Sequence, residues 1–253
     1  MRLCTAALIA FCGFVPTAGA QTATEHIAAG DREYASLKPA AALPHYKAAV
    51  AADSASYEAL WKASRTAVDV GELEANADVR KQTYKTGEEY ARRAVAANPA
   101  DAEGHFHLAR ALGRTALSLG KRDRVKYAGE VRTHALQALE RNPNHPGALH
   151  VMGMWNAEIM RLSGLQRFAA KTLLGGKIFS EASWKEAVRY MEAAVAAEPD
   201  RITHRIDLAE VYEDVGEKAK AREQYRAIVG AAVRDAKDPT YKQQAAERLK
   251  KLG

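Results

Sequence analysis

The chain has 253 residues, a formal net charge of +6 at pH 7 and only two cysteines. That length suffices for one good-sized domain or an extended array, and so few cysteines exclude a disulfide-stapled fold. Lys and Arg are interleaved with Asp and Glu and form no basic cluster with interleaved aromatics, which argues against a nucleic-acid partner.

Residues 1–20 read as a secretory signal. Met1-Arg2 is a positive start, Leu3 to Val15 an apolar run, and Ala18-Gly19-Ala20 an A-x-A cleavage site. The run is shorter than the roughly 20 residues of a membrane span. Cys12 follows Phe11 rather than a small residue, which argues against a lipoprotein signal. Removal of this segment takes away Arg2, Cys4 and Cys12, so the net charge falls to about +5 and no cysteine is left for a disulfide, a thiolate metal site or a nucleophile. No later segment is apolar enough for a transmembrane anchor, and a bacterial periplasmic or secreted location is expected. Residues 21–253 form the folded domain.

That domain is rich in Ala, Glu, Lys, Arg and Leu, which leans helical. Its helices end alike. Met191 to Pro199 (MEAAVAAEP), Arg92 to Pro99 (RRAVAANP) and His134 to Pro143 (HALQALERNP) are amphipathic ends stopped by proline, and Tyr46 to Ser54 has the same form with Ser54 in the proline's place. The pattern resembles the tetratricopeptide repeat. Gly30, Ala42, Tyr46 and Ala49 fit its first copy, Gly153 and Ala187 its fourth, and Leu208, Ala209, Tyr212, Gly216, Ala221, Tyr225 and Ile228 its fifth. Small residues are needed where paired helices approach closely. Pro99 and Pro143 lie 44 residues apart, and Pro143 and Pro199 lie 56 apart, both longer than the repeat's usual period of about 34. The middle repeats are therefore extended, with long helices expected at 77–97 and 121–141 and an insert at 161–179. Asp238-Pro239 opens a helix to about Leu252 that fits a solenoid's terminal cap. The expected fold is an all-α, tetratricopeptide-type helical-repeat solenoid with extended middle repeats and a C-terminal capping helix.

The fourth repeat carries a narrower resemblance. Ala148 to Trp155 (ALHVMGMW), then Leu162 to Leu165 (LSGL) and Thr172-Leu173-Leu174, are similar to the regulator of microtubule dynamics family. The resemblance implies a compact bundle of tetratricopeptide-type helices and an apolar concave pocket. Some eukaryotic members are implicated in protein tethering and phospholipid binding.

In such repeats the first helix of each pair lines the concave groove. This places Trp61, Arg65, Phe106, Arg110, Arg114, His150, Met154 and Glu158 along it, with Glu210, Glu213 and Asp214 at an acidic end. Arg110 and Arg114, four apart on one helical face, suit a carboxylate or phosphate attached to an apolar chain, whether a peptide C-terminus or a lipid headgroup. Equally, they are placed to form internal ion pairs with Glu158, Asp69 or the acidic end. The acidic residues read as a solvated face or as partners of neighbouring Lys and Arg. The insert's leucines form no single stripe and are interrupted by Gly175-Gly176, which favours a core plug or lid over membrane contact.

Nothing points to catalysis, a cofactor or a metal. His105 and His107 are two apart and face different ways on a helix, His145 and His150 flank a helix start, and no catalytic or phosphate-binding motif occurs. The leading expectation is an exported scaffold that binds a protein or peptide partner in the groove. The alternative is a carrier of a lipid or other anionic amphiphile beneath the insert.

Overall fold

The computed structural model describes residues 21–164 and 180–253. Residues 1–20, expected to form a signal, and residues 165–179 of the expected insert lie outside the described residues. Among the described residues there are eleven α-helices and no strand. They are α1 (Ala23–Ala35), α2 (Pro39–Ala52), α3 (Tyr57–Leu73), α4 (Ala77–Ala97), α5 (Ala102–Leu117), α6 (Lys121–Arg141), α7 (Pro146–Met160), α8 (Trp184–Ala197), α9 (Ile202–Asp214), α10 (Lys218–Gly230) and α11 (Asp238–Leu252).

Local chemistry sets the ends. Ser56, Asn76, Asp101 and Ser183 each accept a backbone N–H from the first turn of the helix they precede. Thr22 and Glu25 form a reciprocal capping box at α1. Asn98, Asn142 and Glu198 close α4, α6 and α8, each followed by the proline that stops the helix. The chain then reverses, so each helix packs against the next. Gly216, at φ +81°, makes the α9–α10 turn in a backbone conformation that glycine adopts without steric cost.

Close approach within pairs depends on missing side chains. A Cβ on Gly30 would lie 2.7 Å from Cε1 of Tyr46, which is fully buried and donates its hydroxyl to Asp31 at 2.7 Å. A Cβ on Gly153 would lie 2.5 Å from Cγ of Met191. Met191 is therefore the side chain that seats against Gly153, and the small Ala187 is fully buried one turn earlier in α8.

The core runs between the pairs as a series of clusters. One holds Tyr46, Leu60 and Ala63, another Leu108, Val131 and Trp155, and a third Met191, Ile206 and Tyr225. Odd-numbered helices also touch the next odd helix from α3 through α11. They make an inner layer, with the even helices outside. α11 packs on α10 and α9, as a further inner helix would, and completes the solenoid. No helix among the described residues is long and apolar enough to cross a membrane.

Candidate functional site

The inner layer carries the eight groove residues expected from the repeat resemblance. Each sits on α3, α5 or α7, and each is half-buried. In the N-terminal half of these helices, rings join one helix to the next. Trp61 stacks on His107 with centroids 5.4 Å apart and planes 2° from parallel. Phe106 packs against both His107 and His145 at 4.6 Å, in space that Gly147 leaves open. His150 lies 4.8 Å from His204 on α9. Met154 packs onto the C-terminal core cluster.

Histidine chemistry follows from the hydrogen bonds. His145 is the N-cap of α7, and its Nδ1 accepts the Ala148 N–H at 3.2 Å. The neutral ring therefore carries its proton on Nε2, which lies 3.2 Å from Glu103 Oε1. His107 Nε2 lies 3.3 Å from the other oxygen of Glu103. Burial raises the Glu103 carboxyl, but these two imidazoles overcome it and hold it well below the usual carboxylate range. Burial pushes His107 and His204 down to about 4, against weaker upward pulls from Glu103 and Glu198. His105 faces away from His107. Its Nε2 donates to the Pro99 carbonyl at 3.1 Å, so its Nδ1 accepts from His134 Nδ1 at 3.0 Å. Among the described residues, no group of three or more His, Cys, Asp or Glu is placed to hold a metal ion.

The C-terminal half of the inner layer is ionic. Arg110 donates to Asp69 at 2.6 Å and Glu72 at 3.2 Å, Arg114 lies 2.6 Å from Glu72, and Lys237 lies 3.9 Å from it. Asp69 also accepts the Tyr34 hydroxyl at 2.8 Å. Burial would raise Glu72, but Arg114, Arg110 and Lys237 together bring it down to about 2. Arg65 lies 3.7 Å over the Tyr34 ring and 5.2 Å from that of Trp61.

Both inner arginines of α5 are thus engaged by α3. Glu158 does not pair with them: it binds Arg161 at 2.9 Å and approaches Arg124 at 3.6 Å. The acidic end is also partnered. Asp214 takes Arg161 at 2.5 Å, Glu213 accepts the Tyr225 hydroxyl at 2.5 Å, and Glu210 accepts from Gln244 at 3.0 Å.

Comparison with known proteins fits this architecture. The sequence pattern of regulator of microtubule dynamics protein 1-3 matches residues 24–253. The chain belongs to this family. Regulator of microtubule dynamics protein 1 of Bos taurus is 27% identical over 150 residues, which is 58% of this chain and 46% of that protein. Regulator of microtubule dynamics protein 3 of Rattus norvegicus is 24% identical over 164 residues, 64% of this chain and 34% of that protein. The chain thus spans about half, or less, of the curated relatives it matches. Among solved structures, a thermophilic TPR protein of Thermus thermophilus superposes with a TM-score of 0.64 at 22% identity, over 90% of this chain and 98% of that one. The shared fold is that of the tetratricopeptide repeat.

In this family member, several inner-face residues were not singled out by sequence. Glu72 lies three residues beyond Asp69 on the same helical stripe, so continuing the spacing along α3 finds it. Asp207, which meets His150 Nε2 at 2.7 Å, lies three residues before Glu210 on α9 and the same spacing finds it, whereas Lys237 lies in the segment before α11 and carries no such signal.

Proposed function

We propose that the protein is an exported, non-enzymatic scaffold that binds a protein or peptide partner along the inner face of its helical array. The observation that carries this is the set of half-buried side chains, mostly aromatic or charged, on α3, α5 and α7. Core positions would be sealed and a solvated face would be open; a wall of intermediate exposure offers contacts along its length.

Charge favours a peptide over an anionic amphiphile. Arg110 and Arg114 already face Asp69 and Glu72, so a phosphate headgroup would have to displace a carboxylate. A polar peptide instead meets donors and acceptors in alternation. Two hollows of about 30 and about 180 Å³ border Asp69, Arg201 and Asp235 and Glu198, Asp200 and Asp238, respectively. Both are smaller than the pockets of roughly 300–1,000 Å³ that enclose small amphiphiles. Export rests on the signal pattern of residues 1–20.

Native mass spectrometry of the protein purified from its host's periplasm, followed by organic extraction, tests this. The expected result is a protein free of lipid that captures one defined polypeptide. A stoichiometric lipid that is lost in an Arg110→Ala/Arg114→Ala variant would establish the carrier instead. Recovery of the protein only in the cytoplasm, with residues 1–20 intact, would end the export proposal.

A further inference from the structure

The inner layer curves enough for its two ends to meet. On one side stand Tyr34 and Leu37, at the end of α1, and Asp69 and Glu72 on α3. On the other stand Arg201, Asp235 and Lys237, from the N-cap of α9 and the segment leading into α11. Lys237 Nζ lies 3.9 Å from Glu72 Oε2 across the gap. The hollow between the sides holds about 30 Å³, room for little more than one water. Neighbouring helices elsewhere are joined by extended packing, but α1 to α4 share no such interface with α9 to α11. Side-chain contacts such as this one bridge the mouth.

We propose that this seam is an ionic latch: the Lys237–Glu72 contact holds the array closed, and its release opens the inner face between α3 and the 231–237 segment. The charge distribution makes release one-sided. Glu72 is 8% exposed and keeps Arg114 and Arg110 at 2.6 and 3.2 Å when Lys237 leaves. Lys237, 24% exposed, needs only to turn into water. Of the three cations on Glu72 it is the most distant, at 3.9 Å, and the one contributed from across the gap. Arg201 and Asp235 pair at 3.0 Å on the moving side, so the segment keeps its own charges balanced as it swings. Within the described chain, no helix has to unfold for the gap to widen. The latch belongs to the chain itself and stands or falls independently of the partner.

Distance measurement between spin labels tests it. In the full chain, with Cys4 and Cys12 replaced by serine, labels are placed at Ser36→Cys and Val233→Cys, both exposed positions on opposite sides of the seam. A control pair at Arg226→Cys and Val233→Cys lies on one side. The expected result is a dominant short distance across the seam. In Lys237→Ala and Lys237→Gln the longer-distance component grows about fivefold, the upper end of what one partly exposed ion pair supplies. Lys237→Arg restores the short distance, and the control pair does not change. Distributions that are the same in wild type, Lys237→Ala and Lys237→Gln, with unchanged circular dichroism, would overturn the latch. A control pair that shifts as much as the seam pair would overturn it too, because the change would then be general loosening.

Discussion

Replacement of Glu72 by glutamine keeps the shape of the side chain and removes the one charge that three cations share. In the native protein its oxygens lie 2.6 Å from Arg114, 3.2 Å from Arg110 and 3.9 Å from Lys237, with the side chain 8% exposed. Arg110 keeps Asp69 at 2.6 Å, whereas Arg114 and Lys237 lose their nearest anion. Breaking a fully buried pair costs about 3–5 kcal/mol. Arg114 and Lys237 are about a quarter exposed and recover part of that from water, which brings the expected cost to about 2–3 kcal/mol. For a domain of this size that lowers Tm by roughly 4–12 °C. Urea unfolding followed by circular dichroism reads the change, and pH supplies a signature. The folded-state value of about 2 lies below the ordinary 4.5, so this stabilisation is complete above about pH 4.5 and is lost as the pH falls towards about 2. The gap between wild type and Glu72→Gln should therefore be constant at neutral pH and shrink on acidification. A variant within about 0.5 kcal/mol of wild type at pH 7, the scatter of ordinary surface changes, would refute the assignment of Glu72 as the anion that organises the inner face.

Two further predictions concern the core and the buried imidazoles. Gly30→Ala drives a methyl into the Tyr46 ring and should cost about 1–3 kcal/mol by overpacking; calorimetry that finds it neutral would mean the first pair is looser than described. His107 and His204 are held at about 4, against an ordinary 6.5, chiefly by burial. Their folded-state values are depressed, so the stability they confer is complete above about pH 6.5 and is lost as the pH falls from there towards about 4. At about pH 5 the two together should cost on the order of 4 kcal/mol relative to pH 7.5. A His107→Leu/His204→Leu variant should lose most of that dependence, and an equally steep fall in both proteins would show that other groups carry it.

Much of the fold was legible because helix ends are local chemistry. The Asn98-Pro99 and Asn142-Pro143 stops, with the long spacing between them, pointed to the long helices 77–97 and 121–141 that the structure contains. The place of Trp61, Arg65, Phe106, Arg110, Arg114, His150, Met154 and Glu158 on inner-layer helices was legible too, because the resemblance to the tetratricopeptide repeat assigns the first helix of each pair to that layer. Their partners were not. Whether Arg110 met a ligand, Glu158 or Asp69 depended on the angle between α3 and α5, which spacing does not specify. The approach of Lys237 to Glu72 depends on curvature accumulated over the whole array. His145 was hidden for another reason: histidine is an uncommon N-cap, and its Pro146-Gly147 context marked a helix start without revealing what the ring accepts. Gly153 signalled a close approach, but that Met191 fills it depends on the rotation of α8.

The central claim is that the inner face is where a polypeptide partner sits, and site-specific photo-crosslinking in the native host tests it most directly. A photoreactive residue is placed in turn at Trp61 and Phe106 on the inner layer, and at Lys85 and Arg226, which are exposed on the outer helices α4 and α10. The account predicts one defined protein adduct from the two inner positions and none from the outer two. Adducts of equal yield from both faces, or an inner face that captures only lipid, would contradict it.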